Sequence, residues 1–282
     1  MGEVPARSAD AVTLGRLWTV VGPIRGYVRH FPIHRGKGVL LHRILLPLLP
    51  PDPAFFVARI PGGGRVALHP REALGFVTLV YGGFESAEIS CAIESLTAGS
   101  TTFDIGANVG IYSVALGRAL GRDGLVLAVE PDPANVRRLR DNLTLNSIDN
   151  VRVVEAVAGE RDGTVELHVA DDPAYNSVIR VEGGHAAVGA TTVQSVQLDR
   201  VWEDLGCPEV SFVKIDVEGA EVSVLRGSRA MLTASQPAVL VEANDEARLG
   251  LLRSELEPLG YQRTHRRGFQ PWNHLFLGTR PP

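Results

Sequence analysis

From residue 84 onward the chain alternates short apolar runs with segments of helical spacing, and such alternation restricts a fold to a parallel sheet with helices between its strands. The strand candidates are TTFDI (101–105), LVLAVE (125–130), VRVVEAVA (151–158), SFVKID (211–216) and AVLVEAN (238–244). FESAEISCAIESL (84–96) opens the series with Ile89, Ala92, Ile93 and Leu96 on one helical face, and further helices are expected near 111–120, 133–145, 219–233 and 245–258. YQRTHR (261–266) and HLFLGT (274–279) read as an antiparallel hairpin at the sheet edge. An insertion at about 164–199 holds TVELHVA (164–170), a Gly-rich loop and TTVQSVQLD (191–199).

A length of 282 residues suits one large α/β domain with an appended segment. The expected division is an N-terminal cap, recognition or oligomerisation segment over 1–75 and a main domain over 76–282. Within the first part, FFVARI (55–60), PGGGR and VALH (66–69) read as a hairpin, because β-branched and aromatic runs flank a Gly-rich turn. The stretch RGYVRHFPIHRGKGVLLHR (25–43) is a basic cluster interleaved with aromatics, in which Arg29, His34, Arg35 and Lys37 are candidates for phosphate and a solvated face is the plainer reading.

With 45% hydrophobic and 21% charged residues the chain reads as an ordinary globular protein. A formal charge of −4 gives no general attraction to phosphate backbones, so nucleic acid is a poor partner. Nor is there the N/D-P-P-Y/F pattern of amino-methylating DNA enzymes. Cys91 and Cys207 have no ligand spacing and fit free thiols in a reducing compartment. No targeting pattern is visible, and the most apolar early run, ILLPLLP (44–50), is too short to span a bilayer, so a cytoplasmic location is expected.

In an open parallel sheet, ligands bind beyond the carboxyl ends of the strands, where strand order reverses. TTFDIGANVGIYSVAL (101–116) puts Asp104 near such an end, followed by Gly106 and Gly110, which permit a tight turn and close backbone approach, and then a helix. A glycine turn alone serves many ligands. LAVEP, however, ends the next strand in Glu130, about 20 residues on, where a carboxylate can take both hydroxyls of a ribose. A dinucleotide site wants G-x-G-x-x-G, whereas here Asn108 occupies the third position, and an acid before the turn would repel a pyrophosphate. That acid suits a cationic ligand such as S-adenosylmethionine.

FDIGANVGIYSVAL, VLAVEPDPANVRRLRDNLTLN, NVRVVEAVAG and FVKIDVEGAEVSVLRGS together resemble the successive motifs of FkbM-family methyltransferases, from about Phe84 to Glu242. K-I-D-V-E-G-A-E (214–221) is the most specific element. The resemblance implies a class I, Rossmann-like methyltransferase fold, with a mostly parallel seven-stranded sheet and an antiparallel C-terminal edge. It also implies methyl transfer from S-adenosylmethionine to a hydroxyl of a sugar, polyketide or other metabolite. By motif, Asp104, Gly106, Asn108 and Gly110 would line the methionine end, Glu130 the ribose, Glu85 the amino group, and Ala156 to Ala158, with Val157, the adenine. The family often has Leu-Asp-Asp where this chain has Leu198-Asp199-Arg200.

Methyl transfer to oxygen needs the acceptor held in line and its proton removed. Strand alternation would align Lys214, Asp216 and Glu218 as a polar row at a strand end, with Glu242 ending a neighbouring strand. Charges where a strand pattern predicts burial are usually paired or functional. Asp216 is the expected base or acceptor-orienting group, Lys214 tunes it, and Glu218 or Glu242 binds substrate hydroxyls; a buried Lys214–Glu242 pair is the bland account. A divalent metal on Asp216 and Glu242 would suit hard oxygen ligands, but no compact spacing supports one and none is predicted. Histidines 168, 185, 265 and 274 are scattered. His185, with Tyr175 and Asn176, falls in a loop that could fold over the acceptor, although a solvated loop explains it as well. A non-catalytic cofactor-binding module and an NAD-dependent oxidoreductase are the rival readings. A small hydroxyl-bearing substrate is the expected partner, with no membrane and with homodimerisation through the N-terminal segment left open.

Overall fold

The computed structural model describes residues 55–170 and 187–279; the leader expectations over 1–54 and the loop with Tyr175, Asn176 and His185 lie outside these. The chain divides into two units, Met1–Ala58 with Ala67–Phe84, and Arg59–Val66 with Glu85–Pro282. The expected hairpin is present as β1 (Phe56–Arg59) and β2 (Arg65–Leu68), a two-stranded sheet. In the smaller unit, α1 (Ala73–Tyr81) buries Phe76, Leu79 and Val80 and ends on Gly82 at φ 87, whose N–H returns to the Thr78 carbonyl. This is the left-handed glycine stop typical of helix C-termini.

In the larger unit, α2 (Ser86–Glu94) precedes β3 (Thr101–Ile105), α3 (Ile111–Leu120), β4 (Leu125–Val129) and α4 (Pro133–Leu145). The last helix starts where the sequence says it should: Pro133 takes the first turn and the Asp132 side chain accepts from the Ala134 N–H at 2.7 Å. β5 (Val151–Val154) and β6 (Val157–Gly159) follow. They correct the single strand expected over 151–158, because Ala156 N–H turns back to the Val154 carbonyl and Val157–Gly159 pairs parallel with a different strand. That partner is β8 (Ala187–Gln197), which also pairs antiparallel with β7 (Gly163–Ala170), so the insertion forms a separate three-stranded sheet.

α5 (Leu198–Asp204) leads to β9 (Val210–Ile215). The helix expected over 219–233 is two helices, α6 (Glu221–Arg226) and α7 (Arg229–Ser235), because the Gly227–Ser228 step breaks the helical path. Asp199 caps the second piece from outside, its oxygens accepting from Ala230 N–H at 3.0 Å and Met231 N–H at 2.9 Å. β10 (Ala238–Glu242), α8 (Glu246–Leu256), β11 (Tyr261–Thr264) and β12 (Asn273–Gly278) close the fold.

Seven strands form the central sheet in the order β11-β12-β10-β9-β3-β4-β5, with β12 antiparallel to both neighbours and the remaining contacts parallel. One sheet face carries Phe103, Ile105, Leu127, Val129, Val213, Ile215, Val239 and Val241 into a core with Leu198, Trp202, Val224, Leu225, Met231, Leu232 and Leu252 of α5 to α8. On the other face, α3 packs on β3 and β4 while α2 packs on α3 and β10. Alternation along β3 and β9 therefore sends Asp104 and Lys214, paired across the two strands, to the α2–α3 side. No helix among the described residues is long and apolar enough to cross a membrane.

Candidate functional site

The order reverses at β3, which has β4 on one side and β9 on the other, so the carboxyl ends of these strands frame the expected ligand crevice. The turn after β3 is built on close backbone contact. Gly106 sits at φ 76, and a β-carbon there would lie 1.7 Å from the Asp216 carbonyl oxygen, so only glycine lets the two strand ends meet. Gly110, at φ 88, faces Leu139 of α4 at the start of α3. Asn108 holds a left-handed backbone at φ 50, a conformation that asparagine tolerates better than most residues.

Glu130 fastens this turn. One carboxylate oxygen accepts from Asn108 N–H at 2.8 Å, and the other from Asp132 N–H at 3.0 Å and Asn135 Nδ2 at 3.3 Å. Burial pushes its carboxyl up to about 7, against the pull of these donors. Ala156 and Val157, expected beside an adenine, are both buried at the end of β5 and the start of β6.

Lys214 is the charge centre. Its Nζ stands 3.1 Å from Asp216 Oδ2, 3.9 Å from Asp104 Oδ1, and 3.3 Å from the Gly106 carbonyl to which it donates. Burial would favour the neutral amine, but Asp216, Asp104 and Glu85 outweigh it and hold the ammonium well above the ordinary lysine range. A lysine so held cannot serve as a base near neutral pH. Asp104 is fully buried, which raises its carboxyl, with Lys214 and Ser113 opposing. Its Oδ2 accepts from Ser113 Oγ at 2.6 Å, while Oδ1 has no hydrogen-bond partner. This is the oxygen that faces the Lys214 ammonium at 3.9 Å, an ion-pair distance rather than a hydrogen bond, so its accepting capacity is only partly used among the described residues.

Glu85 caps α2 with a left-handed backbone at φ 42 and no side-chain cap bond. Its side chain turns inward, accepting from Tyr112 OH at 2.9 Å and from Asn273 Nδ2 at 2.7 Å. Burial raises this carboxyl. Glu88, one turn along, accepts from the Gln270 backbone N–H, so the segment before β12 is tied to α2.

Asp216, Glu218 and Glu242 form a carboxylate cluster, with oxygens within 4.8 Å of one another. β9 ends at Ile215, which corrects the expected polar row: Glu218 reaches the cluster through a left-handed turn, φ 51 followed by Gly219 at φ 108, and not through strand alternation. Glu242 does end β10 as expected. It bonds to Asp216 and not to Lys214, and burial plus the Asp216 charge push its carboxyl up. Burial, Asp216 and Glu221 bring the Glu218 carboxyl to about 7. Hard oxygen ligands at this spacing could take a divalent cation, although the positive charge already beside Asp216 is Lys214.

Tyr112, Ser113, Asn273 and Glu88 join the site without having been singled out in the sequence. His274 is buried against the Ala243 carbonyl at 3.3 Å, which gives it a structural role, and His265 is exposed.

The Methyltransferase FkbM domain matches residues 104–263, from the buried Asp104 to the edge strand β11. The chain belongs to this family. Similar proteins include Methyltransferase 1 of Beauveria bassiana, 27% identical over 44% of this chain and 56% of that protein. Methyltransferase sdnD of Sordaria araneosa is 26% identical over 48% of this chain and 62% of its own length. The 2-O-methyltransferase NoeI of Sinorhizobium fredii is 25% identical over 38% of this chain and 49% of that protein. The FkbM-family chain thus spans about half to three fifths of these curated relatives. Among solved structures, Methyltransferase FkbM from Methylobacillus flagellatus KT aligns with a TM-score of 0.47 at 20% identity, over 73% of this chain and 52% of that one.

Proposed function

We propose that this protein is an S-adenosylmethionine-dependent O-methyltransferase that acts on a hydroxyl of a small molecule, of the sugar or polyketide class. The observation that carries the reading is the charge arrangement at the ends of β3, β9 and β10. One buried lysine is shared by Asp104, whose Oδ1 faces it without a hydrogen bond, and by Asp216, which also belongs to a cluster of three carboxylates with Glu218 and Glu242. The NoeI relative, by its name, transfers methyl to oxygen, which supports oxygen as the acceptor atom.

The cofactor would supply an electrophilic methyl on a positively charged sulfur. Asp104 and Glu85 would meet its cationic amino-acid end, Gly106, Asn108 and Gly110 would allow its close approach, Glu130 would take the ribose hydroxyls, and Ala156 and Val157 would offer an apolar wall. On the acceptor side, Asp216 would take the hydroxyl proton onto its carboxylate as the acceptor oxygen displaces the methyl group from the cofactor's sulfur, the C–S bond pair staying on the sulfur of the departing thioether product. Lys214 holds that carboxylate in place, and Glu242, whose carboxyl burial and the Asp216 charge push up, stands beside it. Glu218 lies within reach of the same acceptor hydroxyls.

The test is transfer of isotope-labelled methyl from the cofactor to a panel of sugar and polyketide hydroxyls. Asp216→Asn is expected to lower turnover roughly 10²- to 10⁴-fold, the usual worth of a positioned base, while affinity for S-adenosylhomocysteine stays within about threefold. Full turnover by Asp216→Asn would remove Asp216 from the mechanism, and cofactor binding without transfer to any hydroxyl would favour a binding module.

A further inference from the structure

Lys214 sits among three buried or half-buried carboxylates yet engages only two. Its ion pairs among the described residues are with Asp104 and Asp216, and Glu85 feels it at longer range. Tyr112 separates them. It is 2% exposed, its ring holds the Lys214 ammonium 5.0 Å from the centroid, and its hydroxyl donates to Glu85 at 2.9 Å. One side chain therefore takes the cation on its face and the anion on its rim, as the ring's quadrupole favours. Asn273 holds the other Glu85 oxygen, so the carboxylate is satisfied by neutral donors alone. Glu85 makes these contacts from a left-handed backbone, which a residue with a side chain seldom adopts.

We propose that Tyr112 is a positioning residue that keeps Lys214 from pairing directly with Glu85, leaving the Glu85 carboxylate without a direct cation partner among the described residues and so available to a cationic ligand group, while Lys214 stays committed to Asp216. Without the ring, the flexible lysine gains a path to a third carboxylate, and a Lys214–Glu85 ion pair would form at the expense of its contacts with Asp104 and Asp216.

Two variants separate this role from plain packing. Tyr112→Phe keeps the ring face and loses only the hydroxyl, whereas Tyr112→Leu fills the core but loses both. The Glu85 carboxyl is followed by ¹³C NMR titration in the ligand-free protein, which does not depend on the methyltransferase reading. Relative to the parent, Tyr112→Phe should raise the Glu85 midpoint, because a donor to the ionised form is gone. Tyr112→Leu should lower it, because Lys214 closes on Glu85 and favours the charged form. Shifts in the same direction for both variants, or no shift in Tyr112→Leu, overturn the proposal.

A calorimetric arm rests on the methyltransferase reading: S-adenosylhomocysteine affinity should fall more than tenfold in Tyr112→Leu and less than about threefold in Tyr112→Phe. Absence of binding by the parent protein would sink the methyltransferase reading and leave the NMR result standing by itself. If Tyr112→Leu fails to fold, Tyr112→Met takes its place: the Glu85 midpoint must fall in Tyr112→Met and must not fall in Tyr112→Met combined with Lys214→Met, and a fall in both or in neither overturns the proposal.

Discussion

Replacing Gly106 with alanine is the sharpest structural test of the turn. A β-carbon would sit 1.7 Å from the Asp216 carbonyl oxygen, where real contacts essentially never fall below 3.0 Å, so the two strand ends must separate by about the difference, 3.0 − 1.7 = 1.3 Å. The neighbour is backbone, held by the Asp216 N–H to Ile105 carbonyl bond at 3.0 Å, and it cannot rotate aside like a side chain. The positive φ adds about 1–2 kcal/mol for any L side chain, and a strained, overpacked contact about 1–3 kcal/mol more. The sum, roughly 2–5 kcal/mol, corresponds to a fall in Tm of about 4–20 °C at roughly 2–4 °C per kcal/mol. Because the displaced atom belongs to Asp216, S-adenosylhomocysteine binding should fall with it. Gly110→Ala is the control: its β-carbon would meet the Leu139 side chain at 2.9 Å, which can partly yield, so its loss should be the smaller. Thermal unfolding and calorimetry on both variants decide the matter. A Gly106→Ala protein within about 1 kcal/mol of the parent, or less affected than Gly110→Ala, would refute the reasoning.

Three other outcomes are expected. Glu130 carries a carboxyl raised from 4.5 to about 7, so the folded state binds its proton more tightly and its contribution to stability is largest below 4.5 and is lost as pH rises to about 7. Glu130→Gln should remove roughly 3 kcal/mol of that decline, seen as a flatter urea-unfolding profile between pH 4.5 and 7.5; an unchanged profile counts against burial as the cause. Asp199→Ala removes the external cap of α7 and should cost about 1 kcal/mol, read by thermal unfolding, with cofactor affinity unchanged; lost affinity would give Asp199 a role in the site. Lys214→Met strips the counter-charge from Asp104 and Asp216 and should destabilise by about 3–5 kcal/mol in chemical denaturation at neutral pH, less at acid pH where the carboxyls are protonated; a pH-independent loss would point to packing.

Much of the sheet is legible because β4 and β10 are nearly continuous apolar runs, because β3 and β9 keep apolar residues alternating with a few buried polar ones, and because Asp132-Pro133 and Asp245 announce their helices. The break after Val154 was not legible, since Glu155-Ala156 carries no turn residue and the change of sheet depends on β8, more than thirty residues later. Lys214 and Asp216 stood out as charges in an apolar run. Tyr112 did not, because an aromatic in the first turn of a helix usually reads as core, and its function follows only from Glu85 and Lys214 arriving from other elements. Asn273 is 188 positions from Glu85 and gave no local signal at all. Glu218 was placed in the right cluster for the wrong reason, a strand pleat that ends at Ile215.

On the proposed reading, the glycine turn, Asp104 and Glu130 serve S-adenosylmethionine rather than a dinucleotide. Calorimetric titration of the purified protein with S-adenosylhomocysteine, with NADH as the control, tests it most directly. The account predicts micromolar binding of S-adenosylhomocysteine, about −8 kcal/mol, and no heat from NADH. Binding of NADH alone would contradict it and return the turn to an oxidoreductase.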